Sequence, residues 1–266
     1  MSPDDALTLR HARHIVRDAS RKPGGVCVMT GAGMSAESGI PTFRDAQSGL
    51  WSRFRPEELA SVEDFRANSQ RVWDWYEERR QGVLRVEPNA GHHALADFAR
   101  RHPGVLRIVT QNVDNLHQRA GNTNTLRLHG DILQHQWLDT CARRPACDPA
   151  GAQPGRPPHC GTCGNRLRPG VVWFGEQLPE GAIEQAQAWV RACTLMLIVG
   201  TSGAVWPAAG LAREARRAGA WVLIVNPMST EIDDEADGLV RGTAAEVLPR
   251  LLSPSASAGD EQPADG

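Results

Sequence analysis

Residues able to do chemistry gather in a few short stretches of the chain. The first, Gly31-Ala32-Gly33-Met34-Ser35-Ala36, satisfies G-x-G-x-x-G/A directly after an apolar run. In that pattern the first glycine permits a tight turn and the second lets backbone approach a pyrophosphate. A small third residue lets helix and strand close up, and amides at the helix start supply an anion site. A plain glycine-rich turn would read the same, so the weight falls on the next eight residues. In Glu37-Ser38-Gly39-Ile40-Pro41-Thr42-Phe43-Arg44, Gly39 and Pro41 break the helix early. The segment reads as a flap whose Phe43 and Arg44 end near a dinucleotide ribose. No acid stands about twenty residues on, after a second strand, to hold an adenine ribose, which weakens a dehydrogenase reading.

The second stretch, Thr110-Gln111-Asn112-Val113-Asp114-Asn115-Leu116-His117, begins where another apolar run ends. Ligands of open α/β sheets sit at the carboxyl ends of strands, so Asn112 and Asp114 would face the crevice. Capping of a following helix is the other use for either. In Leu128-His129-Gly130, His129 reads as a structural histidine or as a general base, neutral near pH 7.

Cys141, Cys147, Cys160 and Cys163 are spaced C-x5-C-x12-C-x2-C. Four thiolates suit tetrahedral zinc and leave no open position, so such a site is structural. His135 and His159 are conceivable substitute ligands. Tyr76 and Arg79, spaced i, i+3, share a helix face. A phenol beside a guanidinium can receive a carboxylate through charge-assisted donors, although Glu77 and Glu78 could equally pair with Arg79 and Arg80 on a surface helix.

These groups need a scaffold. Apolar runs at Val26–Thr30, 105–110, Leu195–Val199 and Trp221–Val225 read as buried strands. Helical stretches at 7–19, 91–101, 207–218 and 243–252 stand beside or between them. The alternation predicts an α/β fold: a Rossmann-like parallel sheet with helices on both faces. Two stretches depart from it. Residues 53–87 are rich in charge and tryptophan and look helical, and residues 134–168 hold the four cysteines among proline, glycine and arginine. The latter have too little apolar content for a core of their own, so a metal must organise them. The expected division is a nucleotide-binding domain of residues 1–52, 88–133 and 169–252, and a smaller domain made of a helical insertion, 53–87, and a zinc-binding module, 134–168. The tail, 253–266, reads as disordered.

The chain has 266 residues and a formal net charge of −2, which disfavours a broad nucleic-acid surface. Lys22 is its only lysine. No apolar run approaches the length of a membrane span, and residues 1–10 lack a charged-then-apolar signal pattern. A cytoplasmic protein is expected. Four of six cysteines clustered in one stretch favour metal over disulfides in a reducing compartment.

The ordered blocks GAGMSAESGIPTFR at 31–44, TQNVDNLHQRAG at 110–121, LHG at His129, VVWFGE at 171–176, GTS at 200–202 and Asn226-Pro227 together resemble the sirtuin family of NAD-dependent protein deacylases, over residues 7–252. The resemblance implies that an acyl-lysine carbonyl oxygen attacks C1′ of the nicotinamide ribose as nicotinamide leaves. His129 would deprotonate a ribose hydroxyl, Asn112 would order the ribose and a water, and Asp114 would hold the carboxamide. Gln111 would bond ribose hydroxyls, and Phe43 would shield C1′ from water. Gly31, Ala32, Gly33, Ser35, Ala36, Glu37, Arg44, Val113, Gly200, Thr201, Ser202, Asn226, Pro227, Met228 and Ala244 fall at positions lining the dinucleotide. Val171, Val172, Trp173, Phe174, Gly175 and Glu176 match the stretch that pairs with the substrate peptide as an added strand.

Tyr76 and Arg79, with Leu59-Ala60 upstream, resemble the branch that removes succinyl and malonyl groups. There Ala60 would leave room and the pair would bind the distal carboxylate. The products implied are free lysine, nicotinamide and an O-acyl-ADP-ribose, and the partners are acyl-lysine proteins. The rival functions are an ADP-ribosyltransferase or NAD glycohydrolase using the same pocket, and a non-catalytic zinc-ordered nucleotide sensor.

Overall fold

Residues that are apolar at every position, rather than at alternate ones, must be covered on both faces, and the strands show it. The computed structural model describes residues 8–42, 59–140 and 147–254. Its strands are β1 (Val26–Thr30), β2 (Leu106–Thr110), β3 (Thr125–Arg127), β4 (Gly130–Trp137), β5 (Leu167–Val171), β6 (Leu195–Val199), β7 (Trp221–Val225) and β8 (Gly238–Val240). Six of them form one sheet in the order β3-β2-β1-β6-β7-β8, every neighbouring pair parallel. All ten residues of β1 and β6, adjacent at its centre, are buried.

Side-chain alternation distributes each strand between two layers. Val26 and Val28 of β1 join Leu195 and Leu197 of β6 in a core with helices α1 (Leu9–Ala19), α5 (Ala90–Arg101) and α9 (Ala244–Leu252). Cys27 and Met29 join Met196 and Ile198 against α7 (Ala182–Ala192) and α8 (Gly210–Arg217) on the other face. The expected doubly covered parallel sheet is present. Because β1 and β6 are neighbours while the chain winds outward from each in opposite directions, a crevice opens between their carboxyl ends.

A third core lies apart from both layers. Helices α3 (Val62–Ala67) and α4 (Ser69–Arg85) contribute Phe65, Val72, Trp73, Trp75, Tyr76 and Val83, and the antiparallel β4–β5 hairpin contributes Ile132, Leu167 and Val171. Leu133, Trp137, Leu138 and Ala152 pack at its edge. Residues 134–168 therefore pack against the helical insertion through Leu167, Trp137, Leu138 and Ala152, in addition to whatever order a metal gives them. Arg80 fastens the two, its Nε donating to Ile132 O at 2.8 Å. Both hairpin strands also cross the domain boundaries read from sequence, so the hairpin itself joins the small unit to the large one.

Two histidines lie deep beneath the crevice. His92 on α5 and His117 on the one-turn helix α6 (Leu116–Arg119) are fully buried with their rings edge to face, centroids 4.9 Å apart. His117 Nε2 meets Thr30 Oγ1 at 3.0 Å. Burial pushes the imidazoles down to about 3 and about 4 respectively. An unfolded imidazole titrates near ~6.5, so between that value and about 4 the unfolded chain binds protons that the folded one refuses. Their contribution to stability is full above pH ~6.5 and is lost as pH falls. At pH ~5.5 the two together should cost about 3 kcal/mol. Urea denaturation at pH ~7.5 and ~5.5 should show this as a lower midpoint in acid with an unchanged slope, and equal midpoints would contradict it.

Candidate active site

At the crevice the loops after β1 and β6 touch backbone to backbone. Gly33 N–H donates to Gly200 O at 2.8 Å, and a Cβ on Gly33 would stand 2.8 Å from Gly200 Cα. Gly200 adopts φ +61°, and a Cβ there would stand 2.5 Å from the Gly33 carbonyl carbon. Both positions require glycine for this contact. The helix expected after the loop, α2 (Gly33–Ala36), is a single turn. Met34 N–H donates to Gly31 O and Ser35 N–H to Ala32 O, at 2.9 and 3.0 Å. The Gly33, Met34 and Ser35 amides are thus bonded within the protein. Asn89, which caps α5, anchors the turn by donating Nδ2 to Met34 O at 2.8 Å.

The polar centre lies just beyond. Ser35 Oγ donates to Asp114 Oδ2 at 2.9 Å and accepts from Asn112 Nδ2 at 3.2 Å. Asp114 Oδ1 accepts from Leu116 N–H at 2.9 Å, so this carboxylate caps α6 and faces the crevice at once. Burial raises the Asp114 carboxyl above its ordinary value, against the opposing pull of those two donors. Asn112 N–H donates to Thr110 Oγ1 at 3.1 Å, and Thr110 Oγ1 also accepts from Thr30 Oγ1 at 2.8 Å. Gln111 reaches across the strands, its Nε2 donating to Thr201 Oγ1 at 3.2 Å. Thr30 and Thr110, at the carboxyl ends of β1 and β2, hold this group in register.

His129 is half-buried, and its Nδ1 lies 3.0 Å from Gln111 O. A carbonyl only accepts, so Nδ1 carries the proton and Nε2 bears the free lone pair. Burial keeps the imidazole below its ordinary value, outweighing the contact with Gln111. The result is a neutral ring near pH 7 with an available base nitrogen.

The remaining residues expected at the dinucleotide spread along the same edge. Ser202 O accepts from Glu231 N–H at 2.9 Å, and Asn226 Nδ2 donates to Met228 O at 2.7 Å beside the exposed Pro227. Glu37 Oε2 accepts from Ala245 N–H at 2.8 Å, in the first turn of α9, where Ala244 is buried. Val113 O accepts from Ile132 N–H at 2.9 Å and so ties the loop to β4. Ala32 and Ala36 lie partly buried in the turn. Phe43 and Arg44 lie outside the described residues.

Consecutive residues of the 171–176 segment join the base to the helical insertion. Val172 N–H donates to His129 O and Phe174 N–H to Ala60 O, each at 2.9 Å. Between them the Trp173 indole Nε1 donates to Tyr76 Oη at 2.9 Å. Tyr76 and Ala60 are buried, and burial pushes the phenol up to about 12. The Arg79 guanidinium stacks on Trp75 at 4.7 Å from the ring centroid.

Sequence reasoning missed Arg168. It is 2% exposed, pairs Nη1 and Nη2 with Glu176 Oε1 and Oε2 at 2.5 and 2.7 Å, and lies 3.7 Å from the Trp173 ring centroid. Glu176 Oε2 also accepts from Trp173 N–H at 2.8 Å. An arginine eight residues before an acid in a Pro-Gly stretch carries no periodic signal that would pair them.

The described cysteines Cys147, Cys160 and Cys163 place their sulfurs within 4.8 Å of one another, with Cys147 and Cys163 Sγ 3.4 Å apart. Tetrahedral zinc with Zn–S of about 2.3 Å needs sulfurs roughly 3.8 Å apart, so this donor set fits the metal. The Cys163 backbone, the largest of several contacts, holds the Cys160 thiol down to about 6, which favours the thiolate ligand. Cys141 lies outside the described residues. Neither His135, stacked on Trp73 at 5.1 Å, nor His159 belongs to the described cluster. Elemental analysis should find zinc stoichiometric with chain. Stripping it with a chelator should lower the melting temperature while the sheet's circular dichroism persists, since the hairpin keeps its core. A protein active and equally stable without zinc would refute the site.

The Sir2 family model matches residues 31–207 of the chain. The NAD-dependent protein deacylase of Ralstonia nicotianae is 49% identical over 249 residues, covering 94% of this chain and 98% of that protein. Among solved structures, a complex of a Sir2 homologue with NAD superposes with a TM-score of 0.79 at 39% identity, covering 90% of this chain and 91% of that one. Sir2Tm bound to a propionylated peptide superposes with a TM-score of 0.74 at 28% identity, covering 89% and 95%.

Proposed function

This chain belongs to the Sir2 family, and we propose that, as an NAD-dependent protein deacylase, it favours lysine acyl groups that end in a carboxylate, succinyl and malonyl. One observation supports the preference above others. Residues 172–174 connect His129, Tyr76 and Ala60 in turn. A phenol and a guanidinium one helical turn apart are thereby tied to the segment that also holds the base, in a wall where Ala60 adds little bulk.

NAD supplies an electrophilic ribose carbon from which nicotinamide departs, and an acceptor for the acyl group. The protein's part is to bind, orient and move protons. Ser35, Asn112 and Asp114 form one hydrogen-bonded unit at the switch point, suited to hold the amide and ribose groups of the cofactor. Gln111, braced on Thr201, stands beside them for the ribose hydroxyls. His129 Nε2 takes the hydroxyl proton, with the Gln111 carbonyl steadying the imidazolium through Nδ1. The products are nicotinamide, free lysine and O-acyl-ADP-ribose. A zinc held by Cys147, Cys160 and Cys163 would be structural, and no step of the reaction passes through it.

Acyl-lysine proteins are the substrates, met beside the exposed Phe174 and Gly175 of the 171–176 segment. Among the described residues no helix is long and apolar enough to cross a membrane. The cytoplasm suits a protein whose clustered thiols serve a metal. The test compares acetyl-, malonyl- and succinyl-lysine peptides with NAD, following products by mass spectrometry. We expect O-acyl-ADP-ribose from each, with kcat/KM higher for malonyl and succinyl. Nicotinamide release that ignores acyl peptide would favour an NAD glycohydrolase and overturn the reading.

A further inference from the structure

We propose that Trp173 is a positioning residue that sets the polarity of the acyl pocket: its indole N–H, donated to Tyr76 Oη, turns the phenol into a donor aimed away from the indole and so selects acyl groups ending in an acceptor anion. The inference rests on the reading that Tyr76 and Arg79 receive the acyl carboxylate.

An indole nitrogen can only donate, and a phenol oxygen has one proton to give and lone pairs to accept with. At 2.9 Å the direction of the Trp173–Tyr76 bond is therefore fixed. The Tyr76 proton must leave the oxygen on another side. A phenol free to rotate could offer a lone pair to an acyl group ending in a hydrogen-bond donor as readily as a proton to a carboxylate, whereas this one is biased toward the proton. Arg79 has donors only. Together the two offer hydrogens, and an oxyanion can accept from both.

Trp173 is unusually well held for this task. It is 2% exposed, which removes its side chain from direct contact with a peptide. The Arg168 guanidinium covers the ring at 3.7 Å, Phe65 lies at 5.3 Å, and Glu176 takes the Trp173 backbone N–H. The buried Arg168, paired with the partly exposed Glu176, thus acts on the acyl pocket through one indole. Its two hydrogen bonds and the stacking fix the ring's plane, and that plane decides where the phenol proton points.

The variant Trp173→Phe keeps an aromatic ring and deletes the donor. With saturating NAD, we expect KM for a succinyl-lysine peptide to rise roughly three- to tenfold, the net worth of a neutral hydrogen bond. The ratio of succinyl to acetyl kcat/KM should fall by the same factor, and Trp173→Phe should add little in a Tyr76→Phe background. Equal loss on both peptides would reduce Trp173 to a packing residue and overturn the inference. An unchanged ratio in Trp173→Phe, with a lowered ratio in Arg79→Met, would also overturn it and leave the parent reading standing. Unchanged ratios in both variants would remove the parent reading as well. A second measurement does not depend on the variant folding. Tyr76 is the only tyrosine, so the tyrosine Fermi doublet in the Raman spectrum of the wild-type protein reports this hydroxyl alone. We expect an acceptor signature in the free protein and added donor character on binding succinyl-lysine peptide without NAD. A donor-only doublet in the free protein would overturn the proposal.

Discussion

Replacing His129 with alanine is expected to lower deacylation kcat by about 10²- to 10⁴-fold, the usual worth of a positioned general base. Nicotinamide exchange with NAD and acyl peptide should persist, because that exchange precedes removal of the ribose proton. The split distinguishes a base from a residue that merely shapes the loop. His129 O also accepts from Val172 N–H, but this is a backbone contact that alanine retains. Wild-type kcat/KM should fall in acid as the ring protonates. Since burial lowers the imidazole below its ordinary value, the midpoint of that acid limb should lie below ~6.5. Full deacylation by His129→Ala, or a midpoint above ~6.5, would remove the assignment.

Arg79→Met is the second large effect expected. Methionine keeps much of the aliphatic length while removing charge and donors, and the lost charge-assisted contact should cost ~1.5–3 kcal/mol. Desuccinylation kcat/KM should therefore drop roughly tenfold to a hundredfold, and deacetylation far less. The Arg79 guanidinium is itself held below its ordinary range by burial, eased by the neighbouring Tyr76. A carboxylate brought beside it relieves that desolvation, so the contact should sit toward the upper end. Parallel losses on acetyl and succinyl peptides would show that Arg79 serves the helix rather than the acyl group.

Several elements were legible because their signal is local. Val26–Thr30, Leu195–Val199 and Trp221–Val225 are unbroken apolar runs, and they are strands over those residues. The turn after β1 and the polar run after β2 are strand-end motifs, and they meet at the switch point through Ser35, Asn112 and Asp114. Other elements left little trace. β3 and β8 are three residues each, too short for a period to show. α7 buries Ala182, Ala186 and Val190, a regular stripe muted by small side chains. The β4–β5 hairpin was hidden because its register slips between Asp131 and His135, which breaks the alternation.

The sequence alone therefore determined strands β1, β2, β6 and β7, the motifs at the ends of β1 and β2, and the cofactor class, since each is written in a short local run of chain. Tertiary structure decided which atoms those residues face. Gly33 makes room for Gly200, Glu37 caps α9, His92 meets His117, and Arg168 is linked to Tyr76 through Trp173. Such contacts join distant segments, and their partners are chosen by packing and by the need to satisfy buried donors and acceptors. Neither constraint has a period that can be read along a chain.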